Sequence, residues 1–157
     1  MQRRLSSWYP CARRSDRQAG IVGRYFISPH PRQLLLRSGS GLRQLHEPGD
    51  VISLAWVVRP DHLHWLIQLN DRWSLSTVVK TLKARSARSI NRHLCQRGSL
   101  WQRAYYDLAA RKDEDVRQIA RYIVANPLRT SLVRNIGDYP HWDCIWMTDE
   151  DKTPLVE

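Results

Sequence analysis

The alternation of apolar and polar residues along the chain is sharpest between residues 51 and 69. Residues 51–58, VISLAWVV, are rich in β-branched and aromatic side chains, which favours a strand. Residues 59–61, Arg-Pro-Asp, predict a turn, and residues 62–69, HLHWLIQL, predict the return strand. This part of the chain is therefore expected to form a β-hairpin.

Two later segments have the spacing of helices. Residues 75–94 place apolar side chains at helical intervals and contain no glycine or proline, which predicts a helix. Residues 112–127 begin with acidic side chains, which the positive end of a helix favours, and stop at a proline. We expect a second helix there.

The remaining segments complete an α+β pattern. A short strand is predicted at 23–28 and an extended segment at 100–111. The helical spacing of 32–50 is interrupted by SGSG. Irregular coil is expected from residue 135 on. Elements in this order suit an antiparallel sheet with helices on one face. The expected organisation is a flexible basic arm at 1–20, a single domain at 21–147 and a C-terminal tail at 148–157.

The charge of the chain narrows the class of partner. The 157 residues include 25 Lys and Arg against 15 Asp and Glu, which gives a formal net charge of +10 and a pI near 10.2. Such an excess favours polyanions such as nucleic acids, because each neutralised phosphate releases counterions; the alternative is a scattered positive surface that serves solubility. The three cysteines are dispersed, and the sequence shows neither a signal sequence nor a long apolar run. These features predict a cytoplasmic protein that does not enter membranes.

Two histidines lie one residue apart in the predicted return strand. Because strand side chains alternate between faces, His62 and His64 project to one side with Leu66, while Leu63 and Trp65 project to the other. Two adjacent imidazoles can hold one cation. The alternative is that each ring is hydrogen-bonded to a neighbouring group in an ordinary core.

A tyrosine and two amides share one stripe of the second helix. Tyr122 and Asn126 are four residues apart, and Gln118 lies one turn earlier. A tyrosine in this position is either a packing residue or a nucleophile. The polar character of its neighbours favours the nucleophile, since Ile119 and Ile123 already supply apolar packing on an adjoining stripe.

The motifs together resemble a known family. The three segments are WVVRPDHLHWLIQL (56–69), VKTLKARSARSINR (79–92) and LWQRAYYDLAARKDEDVRQIARYIVANPLRTSLV (100–133). They look like the REP-associated tyrosine transposases, which belong to the bacterial single-tyrosine HUH transposases, where HUH denotes His-hydrophobic-His. The resemblance covers residues 51–146, and its strength lies in the combination of HLH, WQ and YIVANP in this order.

The resemblance implies a fold, a site and a reaction. The fold would be ferredoxin-like, with the histidine strand facing the tyrosine helix. By motif position Tyr122 would be the catalytic nucleophile, His62 and His64 metal ligands, and Asn126 the third ligand or its neighbour. The reaction would be cleavage and rejoining of single-stranded DNA through a 5′-phosphotyrosine link.

The expected cofactor and partners follow from the same resemblance. Ligand softness favours Zn²⁺ or Mn²⁺ for two imidazoles and an amide, while the family is associated with Mg²⁺ or Mn²⁺, so we expect Mg²⁺ or Mn²⁺. The expected partner is single-stranded DNA with a REP-like hairpin, bound by a monomer or homodimer associated with the bacterial nucleoid. The basic residues assigned to DNA binding are Lys80, Lys83, Arg88 and Arg92 on the first helix and Arg13 and Arg14 in the arm.

Two other hypotheses stay open. The segment 29–50 is interrupted by prolines and glycines where the family has a longer strand and a helix. The chain could therefore be a catalytically inactive derivative that binds DNA hairpins without cutting them. The third hypothesis is an RNA-binding ferredoxin-like module, although the strands contain no Gly-aromatic signature of that class.

Overall fold

The elements of the chain alternate between strands and helices. The computed structural model describes residues 21–27, 51–70, 72–109 and 113–147. Its strands are Ile21–Ile27 (β1), Val51–Val58 (β2), His62–Leu69 (β3), Trp101–Ala109 (β4) and Trp142–Cys144 (β5). Its helices are Leu75–His93 (α1), Asp113–Val124 (α2) and Asn126–Arg129 (α3), with a 3₁₀ turn at Ile136–Asp138. The predicted hairpin and both predicted helices are confirmed, with differences of a few residues at their ends.

The strands form one antiparallel sheet in the order β4-β1-β3-β2-β5. The order 4-1-3-2 of the first four strands is that of a ferredoxin-like sheet. The predicted fold class, an α+β protein built on such a sheet, is therefore confirmed. The predicted arm at 1–20, the interrupted helical segment at 32–50 and the tail at 148–157 lie outside the described residues.

The two faces of the sheet are covered by different helices. Leu63, Trp65 and Ile67 pack with α1, and we call this the scaffold face. The opposite face carries His62, His64 and Leu66, since strand side chains alternate; we call it the histidine face. Leu66 packs there with buried residues of α2 and β5.

The helix arrangement corrects one expectation. Helices were expected on one face of the sheet, but α1 and α2 pack on opposite faces. The physical reason lies in β3, a central strand whose residues 62–67 are buried on both sides. Both of its faces therefore need cover, and the helix that covers the histidine face is the one that carries Tyr122.

The end of the domain corrects a second expectation. Irregular coil is predicted from residue 135 on, yet β5 pairs with β2 and extends the sheet by one strand. Three residues are too few to show an alternating pattern, and the middle one is Asp143, which is buried and accepts a hydrogen bond from the Cys144 amide at 2.8 Å. Within the described residues, no helix combines the length and apolar character that a bilayer crossing requires.

Candidate active site

The histidine pair lies on the central strand with its two rings in contact. The Nε2 atoms of His62 and His64 are 3.0 Å apart, and the ring planes meet at 82°. Both residues are buried. The strand alternation predicted from the sequence thus brings both imidazoles together on one face, where their Nε2 atoms are hydrogen-bonded to each other.

Asp61 orients the first ring of the pair. Its Oδ1 lies 2.8 Å from Nδ1 of His62. Burial alone would raise the pKa of Asp61, but the hydrogen bond with His62, together with the charges of His62 and Arg59, outweighs it and holds that pKa below its usual value. An ionised carboxylate accepts only, so the contact favours a proton on Nδ1 and leaves the Nε2 lone pair of His62 directed at His64.

Tyr122 lies on the exposed flank of α2. Its neighbours Ala120 and Ile123 are buried against the sheet, whereas the Tyr122 side chain is 50 % exposed. The guanidinium of Arg129 lies 5.1 Å from the centre of the Tyr122 ring. A phenol held in this way is open to solvent on one side and has a positive charge beside it.

Pro127 ends α2, but the chain keeps a helical course as far as Asn126. Proline lacks the N–H that would continue the helical bonds, and α2 ends at Val124. Ala125 keeps helical backbone angles, and its amide bonds to the Arg121 carbonyl at 2.9 Å. Asn126 therefore stays one helical turn beyond Tyr122, although it is buried whereas Tyr122 is half exposed.

A hydrogen bond joins Asn126 to the turn that precedes the histidine strand. Nη1 of Arg59 donates to Oδ1 of Asn126 at 2.7 Å, and Asn126 is buried. Arg59 begins the turn between β2 and β3, and its Nε lies 3.9 Å from Oδ1 of Asp61. Contacts thus run without a gap from His64 through His62, Asp61 and Arg59 to Asn126, one turn from the nucleophile candidate.

Tyr139 holds the start of this turn. Its hydroxyl donates to the Val58 carbonyl at 2.7 Å, and the Val58 amide donates to the His141 carbonyl at 2.9 Å. Burial raises the pKa of Tyr139, while the positive charge of Arg59 opposes the rise. Both contacts fix the residue that precedes Arg59.

Asp61, Arg59 and Tyr139 belong to the site in the structure but were not predicted from the sequence. The first two were explained by the turn itself, and Tyr139 lies in a segment without a pattern. The only signal for Asp61 and Arg59 is two opposite charges within three residues of His62.

The basic residues predicted to bind DNA lie elsewhere. Lys80, Arg88 and Arg92 are exposed on α1, and α1 packs on the scaffold face, opposite the histidines. Lys83 is partly buried; its Nζ donates to the Gln102 carbonyl at 2.7 Å and lies over the Tyr105 ring. Burial lowers the pKa of Lys83. Arg13 and Arg14 lie outside the described residues, and the DNA-binding role of all six stays a prediction.

An exposed tyrosine lies on the histidine face near the pair. The backbone of Arg24 in β1 pairs with His64 on one side and with Tyr106 on the other, so Tyr106 stands two strands from His64 on the same rung. At the strand spacing of a sheet this is about 10 Å. Tyr106 is 69 % exposed and Leu108, on the same face, 67 %.

Within the described residues, no group of three or more His, Cys, Asp or Glu side chains is arranged to hold a metal ion. An amide such as Asn126, the substrate or water could supply a further ligand beside the two imidazoles. The assignment of His62, His64 and Asn126 as ligands stays a prediction.

Comparison with known proteins gives a consistent family. The family model described as IS200-like transposase matches residues 33–126. A REP-associated tyrosine transposase of Escherichia coli (strain K12) is 30 % identical over 88 residues, which are 55 % of this chain and 50 % of that protein. A relative from Haemophilus influenzae is 26 % identical over 108 residues, 61 % of this chain and 59 % of its own length. The chain thus spans about half of the curated relatives it matches.

A solved structure supports the fold independently. The structure of a REP-associated tyrosine transposase bound to a REP hairpin superimposes with a TM-score of 0.64 at 20 % identity, covering 85 % of this chain and 82 % of that one. At this identity the likeness concerns the fold alone. The family match argues against the RNA-binding hypothesis.

The Arg59–Asn126 hydrogen bond can be measured as a coupling energy. In a double-mutant cycle of Arg59→Met and Asn126→Ala, we expect a coupling of about 1.5–3 kcal/mol, as for hydrogen bonds to charged groups. The measurement is urea unfolding of the four proteins. Asn91→Ala is the matched control, because the Asn91 amide donates to the Gly98 carbonyl in an exposed neutral hydrogen bond. Additive effects of the two changes would show that the bond does not join the two elements.

Proposed function

The chain belongs to the IS200-like transposase family, and from that membership we propose a DNA single-strand endonuclease and ligase whose nucleophile is Tyr122. The observation that carries the proposal is the line of contacts from the histidine pair through Arg59 to Asn126, one helical turn from Tyr122. These contacts bring together the HLH and YIVANP motifs, which lie far apart in the sequence. REP-like hairpins are the proposed substrate, since relatives of this family carry that association in their names.

The proposed reaction is a transesterification. The Tyr122 hydroxyl oxygen attacks a phosphorus atom of the DNA strand, the bond from phosphorus to the 3′ oxygen breaks, and a 5′-phosphotyrosine link forms. The phenolic proton passes to solvent, and the departing 3′ oxygen takes up a proton. Because the phosphodiester is kept in the link, a second 3′-hydroxyl can reverse the reaction and join a new strand.

The residues fit a divalent cation at the histidine pair. The Nε2 atoms of the two buried imidazoles are 3.0 Å apart, so one divalent ion could replace the hydrogen bond that joins them. Mg²⁺ or Mn²⁺ is the proposed ion. His62 and His64 would hold the ion and Asn126 would support it. When bound, the ion supplies positive charge to the phosphate.

Side chains of the protein have separate roles in the proposed reaction. Asp61 keeps Nε2 of His62 directed toward His64, and the Arg59–Asn126 bond links the turn before the histidine strand to the segment after the tyrosine helix. Arg129 places a positive charge beside the phenolate that forms during attack.

Tyr106 offers a stacking surface for the strand. Unpaired bases stack on exposed aromatic rings, and the Tyr106 ring is exposed on the histidine face about two strand spacings from His64. We place nucleotides flanking the cleaved phosphate there.

A second candidate function is binding without cleavage. The basic side chains of α1 lie on the opposite face from the histidines. Binding through that face would therefore not need the chemistry of the pair. The adduct experiment below separates the two functions.

Tyr122→Phe is expected to abolish a covalent protein–DNA adduct. The wild type is incubated with Mn²⁺ and a pool of hairpin oligonucleotides with randomised single-stranded flanks, labelled at either end, and run on a denaturing gel. Only the 3′ label should stay with the protein, because the tyrosine takes the downstream 5′-phosphate. EDTA should remove the adduct.

Tyr105→Phe, which removes a phenolic hydroxyl on the scaffold face, is the control and should form the adduct normally. An adduct in Tyr122→Phe at the wild-type level would exclude this nucleophile. Hairpin binding with no adduct in either Mg²⁺ or Mn²⁺ would establish the binding-only function.

Tyr106→Ala is expected to weaken binding of the single-stranded flank. Loss of one stacked base corresponds to about 1–3 kcal/mol, or roughly 5- to 150-fold in Kd. Fluorescence anisotropy with a sequence recovered from the adduct pool gives the Kd, and Tyr106→Trp should restore it. Equal Kd values for the alanine variant and the wild type would remove Tyr106 from the DNA surface.

A further inference from the structure

Arg59 is a largely buried cation between the two halves of the candidate site. Its side chain is 16 % exposed. One guanidinium nitrogen donates to Asn126. Among the residues that the structure describes, its Nε is buried without a hydrogen-bond acceptor.

The charge of Arg59 is only partly compensated inside the protein. The nearest carboxylate, Asp61, lies 3.9 Å from Nε of Arg59 but 2.8 Å from Nδ1 of His62, so it serves mainly the histidine. Asn126 is neutral. A buried charge with donors to spare favours an anion, and a guanidinium matches the geometry of a phosphate.

The guanidinium of Arg59 links the two segments that the proposed DNA substrate would contact. It is joined to the residue one turn from Tyr122 and belongs to the turn that leads into His62. Because Arg59 contacts both of these segments, a phosphodiester held between the tyrosine hydroxyl and the histidine pair is expected to lie near its guanidinium. The exposed arginines of α1 are on the other face and cannot serve this phosphate.

We propose that Arg59 is a further catalytic residue, whose guanidinium binds a phosphate of the cleaved strand and offsets the negative charge that develops during attack. The inference rests on the proposed function. Arg59 neither gives nor takes a proton: the bond between the tyrosine oxygen and phosphorus forms, the bond from phosphorus to the 3′ oxygen breaks, and protons exchange with solvent as above. Preorganised donors of this kind contribute strongly to rate.

Neutral phosphates provide the direct test. Oligonucleotides with one methylphosphonate, placed at successive positions around the cleavage site, are compared in wild type and Arg59→Met by the rate of adduct formation. We expect Arg59→Met to slow cleavage of the normal strand by about a hundredfold. At one position the methylphosphonate should slow the wild type strongly and the variant much less.

A purely structural role for Arg59 gives a different result. Each methylphosphonate would then slow both proteins by the same factor, and such additivity at every position would overturn the proposal. Arg97→Met, at an exposed arginine between α1 and β4, removes the same charge and should leave every rate unchanged.

Binding provides a readout that does not need cleavage. Loss of one phosphate contact to a single strand should lower the slope of log Kd against log salt by about 0.7 in Arg59→Met, measured without divalent ions. If that variant does not fold, Arg59→Lys keeps the charge and loses the planar fork; it should keep the slope and cleave more slowly. An unchanged slope in Arg59→Met, or wild-type cleavage in Arg59→Lys, would overturn the proposal. Absence of any adduct in the wild type would instead reject the proposed function, and the salt slope would still test the phosphate contact.

Discussion

The hydrogen bond from Arg59 to Asn126 connects the turn between β2 and β3 to the segment that follows the tyrosine helix. Packing of Leu66 against α2 holds that helix on the sheet. A short bond between a buried cation and a buried amide has a defined direction. It fixes Asn126, which begins α3 two residues after α2 ends, relative to the turn that carries Asp61 and leads into His62.

The two faces of the sheet differ because β3 presents different side chains on each of them. The β3 residues on the scaffold face, Leu63, Trp65 and Ile67, are apolar and pack with α1, whose Lys83 also bonds to β4. On the histidine face, β3 carries the polar residues His62, His64 and Gln68 together with Leu66, and Leu66 packs with α2. Tyr106 and Leu108 stay exposed beyond that cover. Such partial cover would leave room for the proposed DNA substrate to approach the histidine pair from the side.

The sequence predicts the elements well where a pattern is long. Helical spacing over α1 and alternation in β3 are strong signals, and alternation alone places both histidines on one face. The faces taken by the two helices follow instead from three-dimensional packing, which no single periodicity encodes. Arg59 was missed because a turn of Arg, Pro and Asp already accounts for those residues locally. Its partner lies 67 positions further along the chain, and without that contact the arginine has no assigned role.

The most direct measurement is a crystal structure of Tyr122→Phe with Mn²⁺ and a hairpin oligonucleotide that the wild type cleaves. Anomalous scattering locates the ion independently of the protein atoms. The account predicts one Mn²⁺ bonded to Nε2 of both His62 and His64, with a DNA phosphate lying between the ion and the ring at position 122. An ion bound elsewhere, or a phosphate out of reach of that ring and of its counterpart in a second copy, would contradict it.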